Sequence, residues 1–290
     1  MATYQTSWDA LMKPGDSPKF FDRPPARLDP GAPGWSAQNA WWLIELSRLI
    51  YKVDPQARQD ELKMAGFQEI PLMLQELAQA SVIWPTPPAE ASFAAVVFRG
   101  THDLTDVRTD GKIELKPWSG PGLVHEGFEE SLDSIWADLA GILSGEPFSR
   151  IPILFTGHSL GAALATLAAA RRVQEQQPPS AVYTFGSPRV GNAAFAASLA
   201  GVPVYRVVDG RDIITHVPLP LLYAHVGELH PLGSRYPRPA SVEEELEALG
   251  LILKDGLEKW VQDQRGTEGP PEFLADHAPI NYVADLEAEL

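Results

Sequence analysis

The run IPILFTGHSLGAALATLAAARR, residues 151–172, decides the architecture of this chain. Residues 151–155 form a short apolar segment of the kind that makes a strand buried on both faces. Gly157-His158-Ser159-Leu160-Gly161 follows at once, and from Leu160 to about Gln174 the small, Ala-rich sequence favours a helix. A strand that runs straight into a tight turn and leaves as a helix presents the central side chain at the end of a sheet, as a nucleophile elbow does. Glycines two places before and after Ser159 leave room for a strained turn and for close approach of sheet and helix. Ala162, Ala163 and Ala165 fit the same close approach. The helix N-terminus also directs its positive dipole at Ser159 and at any anion formed beside it.

Working outward, the pattern repeats. Ala94–Phe98 (AAVVF), Ala181–Phe185 and 202–208 read as buried strands, and 127–143, 192–199 and a segment opened by Ser36 read as helices. The first of these helices carries Phe128, Leu132, Ile135, Trp136 and Leu139 on one side. The Ser36 helix continues through Trp42, Leu43, Leu46, Leu49 and Ile50. A further helical pattern is expected from about Asp60 to Ala80, broken at Pro71. Apolar strands alternating with helices imply an α/β fold with a mostly parallel central sheet and helices on both faces. One domain over 1–290 is expected. It comprises a Pro-rich N-terminal strap (1–35), a helical addition (36–80) and a core (94–290), with an amphipathic helix over 242–262 as candidate cap.

Composition narrows the chemistry. The 290 residues include no cysteine, which excludes disulfide scaffolds, thiolate metal sites and cysteine nucleophiles. Acids outnumber bases 38 to 23, so nucleic acid and anionic membranes are poor default partners. Residues 243–290 hold 13 acids and 3 bases, so ten of the fifteen net negative charges sit there. No apolar stretch reaches membrane-spanning length, and MATYQTSWDALMKP lacks the basic start and apolar run of an export signal. A soluble protein of undetermined compartment is the expectation.

A serine nucleophile requires a base, an acid to orient it, and donors for an oxyanion. Four histidines follow Ser159 (His216, His225, His230 and His277), and Asp209 and Asp212 follow the next strand. Chain order alone leaves the choice among them open. No two histidines have a close, face-sharing spacing with a carboxylate third, so no metal site is expected.

Seven blocks in fixed order do make the choice. They are FRGT (98–101), VHEGF (124–128), TGHSLGAALATLAA (156–169), TFGSPRVGNAAFA (184–196), YRVVDGRDIITHVPLP (205–220), YAHVGE (223–228) and DHAPINY (276–282). Over about 96–283 the chain resembles the class 3 (fungal-type) lipases of the α/β-hydrolase superfamily. That resemblance implies the α/β-hydrolase fold, with Ser159 as nucleophile, Asp212 as triad acid and His277 as general base. It implies Thr101 and Leu160 as oxyanion donors, Thr101 through its N–H and hydroxyl and Leu160 through its N–H. The implied activity is hydrolysis of acylglycerols or similar fatty-acyl esters through an acyl-enzyme, with no cofactor and no metal. The ester substrate is the implied partner, with transient contact to a lipid surface and no obligate protein partner. A phospholipase, a feruloyl-type esterase or an acyltransferase would use the same triad. A catalytically silent binding relative is the alternative of another class.

The bland expectations are that Asp209 lies across a Gly turn from the acid position, His216 packs by a Pro-rich loop, and His225 need not touch Ser159. His125 and His158 should bond structurally, and His102 and His230 should lie on the surface. Departures from the family pattern carry their own expectations. Where a lid with a large aromatic would stand, residues 101–118 have Val107 amid Asp103, Asp106, Arg108, Asp110 and Lys112, which predicts weak interfacial activation. Ala162 replaces a common glycine. The Pro-rich apolar stretch 215–233 is a candidate acyl-pocket wall, and the Met- and Leu-rich stretch 63–77 a candidate addition to the cap. The absence of cysteine suggests a bacterial-type member.

Overall fold

The alternation within AAVVF shows how the layers form. In the computed structural model, Ala94, Val96 and Phe98 of β3 (Ala94–Phe98) face one helical layer, while Ala95 and Val97 face the other. All five are buried, so the strand is apolar throughout because both of its faces are covered. The structure describes all residues except 1, 18, 75–77, 88–91, 102–113, 234–242, 245, 248, 251–253 and 255–268.

The main sheet runs, in order, through β1 (Phe67–Leu74), β2 (Ala78–Pro85), β3, β6 (Ile153–His158), β7 (Ala181–Phe185), β8 (Val204–Asp209) and β9 (Glu228–Leu232). The parallel part is β3, β6, β7, β8 and β9. A separate two-stranded ladder joins β4 (Leu115–Pro117) to β5 (Leu123–His125). On one face pack α4 (Glu126–Ser144), through Phe128, Leu132, Ile135, Leu139 and Leu143, and α5 (Leu160–Gln174). On the other lie α2 (Ala37–Leu49) and α8 (Pro279–Glu289), with Trp41, Leu43, Leu46, Tyr282 and Leu286 in the core between them and the sheet. The expected α/β architecture is thus present. Ser36 caps α2 by accepting from Asn39 N, and Asn192 does the same for α6 (Ala193–Ser198) through Phe195 N.

The strap holds two short elements, α1 (Trp8–Met12) and a 3-10 turn at Pro14–Asp16. Its later part is tied to α2, with Asp29 N donating to Asn39 Oδ1 at 2.9 Å and Asn39 Nδ2 donating to Asp29 O at 2.7 Å.

The helical reading of 60–80 is corrected. Helix α3 (Pro55–Met64) ends just before Gly66, whose φ of +84° turns the chain into an antiparallel hairpin. The hairpin strands are β1 (Phe67–Leu74) and β2 (Ala78–Pro85). Pro71, which lacks an N–H to give a central ladder, sits opposite Ser81 on β1, the outermost strand. Ile70 and Leu72 turn to the α4 side, while Glu69 turns away to pair with buried Arg58 at 3.0 Å. That is a period of two rather than 3.6, and it makes 63–74 the end of α3 and an edge strand, not part of a cap. Most of the 242–262 candidate cap helix and the lid segment 102–113 lie outside the described residues.

Leu46 has no exposed surface and lies in the core between α2 and the sheet. Leu46→Ala is expected to cost about 3 kcal/mol of stability through lost burial and the cavity left behind. Urea denaturation measures this as a lowered midpoint with an unchanged slope.

Candidate active site

Strand β6 ends at His158 and α5 begins at Leu160, leaving Ser159 alone between them at φ 60°, ψ −127°. A serine held at positive φ carries strain that its surroundings must outweigh. Here Ser159 N donates to Phe185 O of β7 at 3.0 Å, and Ser159 O accepts from Ala162 N at 3.0 Å. The flanking glycines are steric necessities. A Cβ on Gly157 would overlap the backbone of Gly161, and a Cβ on Gly161 would overlap the Phe98 carbonyl at the end of β3. The motif therefore brings β3, β6 and α5 to backbone contact beneath one side chain.

His277 lies between α7 (Glu272–Ala275) and α8 and is buried. Its Nδ1 donates to Asp212 Oδ2 at 2.7 Å. Asp212 follows β8 across the Gly210 turn and caps the 3-10 turn Ile213–His216. Its Oδ1 accepts from Ile214 N at 2.9 Å, and its Oδ2 accepts a second bond from Tyr282 Oη at 2.6 Å. Burial pushes the Asp212 pKa up, but the charge of His277 and the bonds from His277 and Tyr282 outweigh it and hold the carboxyl below its usual range. A carboxylate only accepts, so the Nδ1 proton of His277 points at Asp212, and in the neutral ring the lone pair is on Nε2.

The end of β7 joins this pair to the serine. Phe185 O holds Ser159, and Gly186 follows with φ +59°. A Cβ on Gly186 would lie 2.6 Å from Asp212 Oδ2 and 2.9 Å from His277 Nδ1. Ser159 Oγ and His277 Nε2 are both buried, and among the described residues neither makes a hydrogen bond. Thr101 is the third residue beyond Phe98, the register partner of Gly157, and a Cβ on the intervening Gly100 would lie 2.7 Å from His158 O. Thr101 therefore emerges beside the serine turn. Leu160 supplies the first amide of α5, one of those an α-helix leaves without a partner in its own backbone.

The other candidates are elsewhere. Both oxygens of Asp209 are buried, and burial, with Asp285, Asp276 and Asp212, pushes its pKa well above the usual carboxylate range. Such surroundings favour the neutral form, which is poorly suited to orienting a base as a charge. His225 Nε2 donates to Thr215 O at 2.9 Å, and burial followed by Arg206 and Arg189 keeps that ring neutral. His216 is buried at the end of the 3-10 turn. His230, expected on the surface, is stacked on Trp35 with centroids 4.0 Å apart. His125 is stacked on Phe128 at 4.1 Å. His102 lies outside the described residues. In the candidate pocket wall, Leu219, Leu221 and Leu222 point to solvent. Sequence reasoning gave no role to Tyr282 or Gly186. The available signal was the placing of Tyr282 five residues after His277, on the first turns of the next helix. Among the described residues no group of three His, Asp or Glu could hold a metal ion, and no helix is long and apolar enough to cross a membrane.

The sequence model of the lipase (class 3) family matches residues 95–222. A lipase of Caenorhabditis elegans is 38% identical over 131 residues, 42% of this chain and 37% of that protein. The Rhizomucor miehei lipase is 32% identical over 160 residues, 51% of this chain and 44% of that protein. The chain thus spans less than half the length of these curated relatives. Among solved structures, a triacylglycerol lipase whose catalytic centre is described as a serine protease triad superposes with TM-score 0.56. That pair is 26% identical, over 67% of this chain and 78% of the other. The fold is the α/β-hydrolase fold. The relatives come from a nematode, fungi and, with phospholipases A1, Arabidopsis thaliana, so the bacterial-type expectation is not borne out. Missing cysteine speaks to disulfides, not to lineage.

Gly186→Ala would place a methyl group against both members of the Asp212–His277 bond on a backbone that disfavours side chains. The expected result is loss of the far-downfield imidazole proton resonance that such a bond gives in proton NMR. An unchanged resonance would mean that the turn relaxes away from the pair.

Proposed function

We propose that this chain is a serine carboxyl-ester hydrolase of the class 3 lipase type, acting on acylglycerols or similar fatty-acyl esters. The observation that carries the reading is the strained Ser159, at a helix N-terminus, joined through the end of β7 to an imidazole whose far nitrogen is bonded to a buried carboxylate. Ser159 Oγ attacks the acyl carbonyl carbon while His277 Nε2 takes its proton. Asp212 keeps the Nδ1 tautomer and stabilises the imidazolium that forms. The N–H groups of Leu160 and Thr101, with the Thr101 hydroxyl, meet the oxyanion. Removing one such donor typically costs about 3 kcal/mol of transition-state stabilisation. His277 returns the proton to the leaving alkoxide, and water then repeats the sequence in reverse on the acyl-enzyme. Every proton moves between groups of this chain, substrate and water.

The likeness to phospholipases A1 fits the same chemistry with a different headgroup. A panel of acylglycerols and phospholipids separates the two readings, because the triad is common to both and only the preferred ester differs.

A fluorophosphonate probe is expected to label the wild-type chain and leave Ser159→Ala unlabelled. Hydrolysis of p-nitrophenyl esters should fall at least about 10⁴-fold in Ser159→Ala and about 10⁴-fold in Asp212→Asn, where the wrong tautomer is available. An unlabelled wild type, or equal labelling of Ser159→Ala, would reject the enzyme reading.

The charged, aromatic-poor segment 102–113 supports weak interfacial activation. The rate on a short-chain triglyceride is therefore expected to pass smoothly through the solubility limit of the substrate. A sharp rise at that limit would overturn this part of the reading.

A further inference from the structure

A buried hydrogen-bonded pair that the reaction leaves unused sits between the loops that meet at Ser159. Tyr51 follows the end of α2, outside the segment that matches the family, and His158 immediately precedes Ser159. Both are buried. Tyr51 Oη lies 3.1 Å from His158 Nδ1, and His158 Nε2 lies 2.7 Å from the main-chain oxygen of His277. A carbonyl oxygen only accepts, so the His158 proton is on Nε2. Nδ1 then presents a lone pair, and the Tyr51 hydroxyl is its donor. The same hydroxyl lies close against Gly100, the residue before Thr101. A Cβ on Gly100 would overlap Tyr51 Oη, so the hydroxyl reaches its place only because that residue is glycine. One phenol oxygen thereby touches the oxyanion loop and the ring beside the nucleophile, and that ring holds the loop of the base.

We propose that Tyr51, by donating to Nδ1, reinforces the Nε2–H tautomer of His158 that the His277 carbonyl requires, and that this donor fixes the main chain of His277 relative to the Ser159 turn. Tyr51 and His158 are then positioning residues that keep the oxyanion loop, the nucleophile turn and the base loop in one register. The inference rests on the roles of Ser159 and His277 given above. Its physical core is a sign change. In the Nδ1–H tautomer a lone pair on Nε2 would face the His277 carbonyl oxygen across 2.7 Å, and the contact would repel. Burial, aided by His277, lowers the His158 pKa to about 3, so the ring stays neutral and its tautomer is the variable that matters. Misplacing a reacting group by about 1 Å can cost about 10²-fold in rate, so a small displacement of His277 is enough to be measured.

Tyr51→Phe keeps the ring and removes only the hydroxyl. On a soluble p-nitrophenyl ester, kcat is expected to fall between about 10- and 100-fold with KM within about two-fold, since substrate contacts are untouched. Fluorophosphonate should still label Ser159, more slowly by a similar factor. In nitrogen-15 spectra of histidine-labelled protein, wild-type His158 should be the Nε2–H tautomer and Tyr51→Phe a mixture of both. His158→Gln retains a fixed N–H donor for the His277 carbonyl with no tautomer to set. Adding Tyr51→Phe to His158→Gln should therefore cost under about two-fold. The proposal is overturned by an Nδ1–H His158 in the wild type, a measurement that needs no variant. It is equally overturned by a Tyr51→Phe protein with wild-type kcat, or by one that loses activity with the His158 tautomer unchanged. A wild type that fluorophosphonate does not label sinks the assignment of Ser159 instead, so the two failures are distinct.

Discussion

The whole site hangs on the close approach of three backbones at Ser159. Strand β6, helix α5 and the end of β3 converge there with too little room for a Cβ at Gly157 or Gly161. A turn this tight forces the serine to φ 60°, a conformation costing on the order of 1–3 kcal/mol that must be offset by the rigid surroundings. The offset comes from the parallel sheet. Phe185 O on β7 takes the Ser159 amide, and β3 and β7 flank β6 in register on both sides. The two helical layers then bury both faces of that sheet, which is why the apolar strands and the strained turn belong to one argument.

Placed at that edge, the remaining groups are supplied by loops leaving neighbouring strands. Thr101 comes after β3, Gly186 after β7 and Asp212 after β8. Only His277 arrives from far along the chain, on the connection into α8, and α8 is locked against α2 by Tyr282, Val283 and Leu286. Tyr282 serves twice. Its ring joins the core, and its hydroxyl donates to Asp212, so the helix that positions His277 also solvates Asp212.

What could be read from the sequence follows this division. Local rules set the strand–turn–helix run, the cap at Ser36, and the start and approximate end of helix α5, because each depends on neighbours within a turn or a strand. The hairpin β1–β2 is not legible in the sequence, since its residues also fit a helical spacing in which Pro71 reads as a break. Its tolerance on an edge strand is a property of the finished sheet. The choice of Asp212 over Asp209, and of His277 over three other histidines, came from a resemblance across many blocks. Periodicity holds no information about which side chains meet 65 residues apart. Tyr51 and Tyr282 were invisible as functional residues for the same reason, because each donates to a partner fixed only by tertiary packing.

Net charge gains meaning only once the acids are placed. Asp209 and Asp212 stand three residues apart at the end of one strand, both without exposed surface, and their pKa values move in opposite directions. Asp212 meets three donors, which favour its charged form, whereas Asp209 faces Asp285 and Asp276, which with burial favour its neutral form. Asp276 is itself engaged by Tyr4 Oη and by Arg211 N at 2.6 Å. Several C-terminal acids that look in the sequence like a solvated surface therefore border the site. With Asp209 held toward its neutral form, the like-charge repulsion on Asp212 is limited, and the Nδ1–H of His277 and two further donors meet the charge that Asp212 keeps.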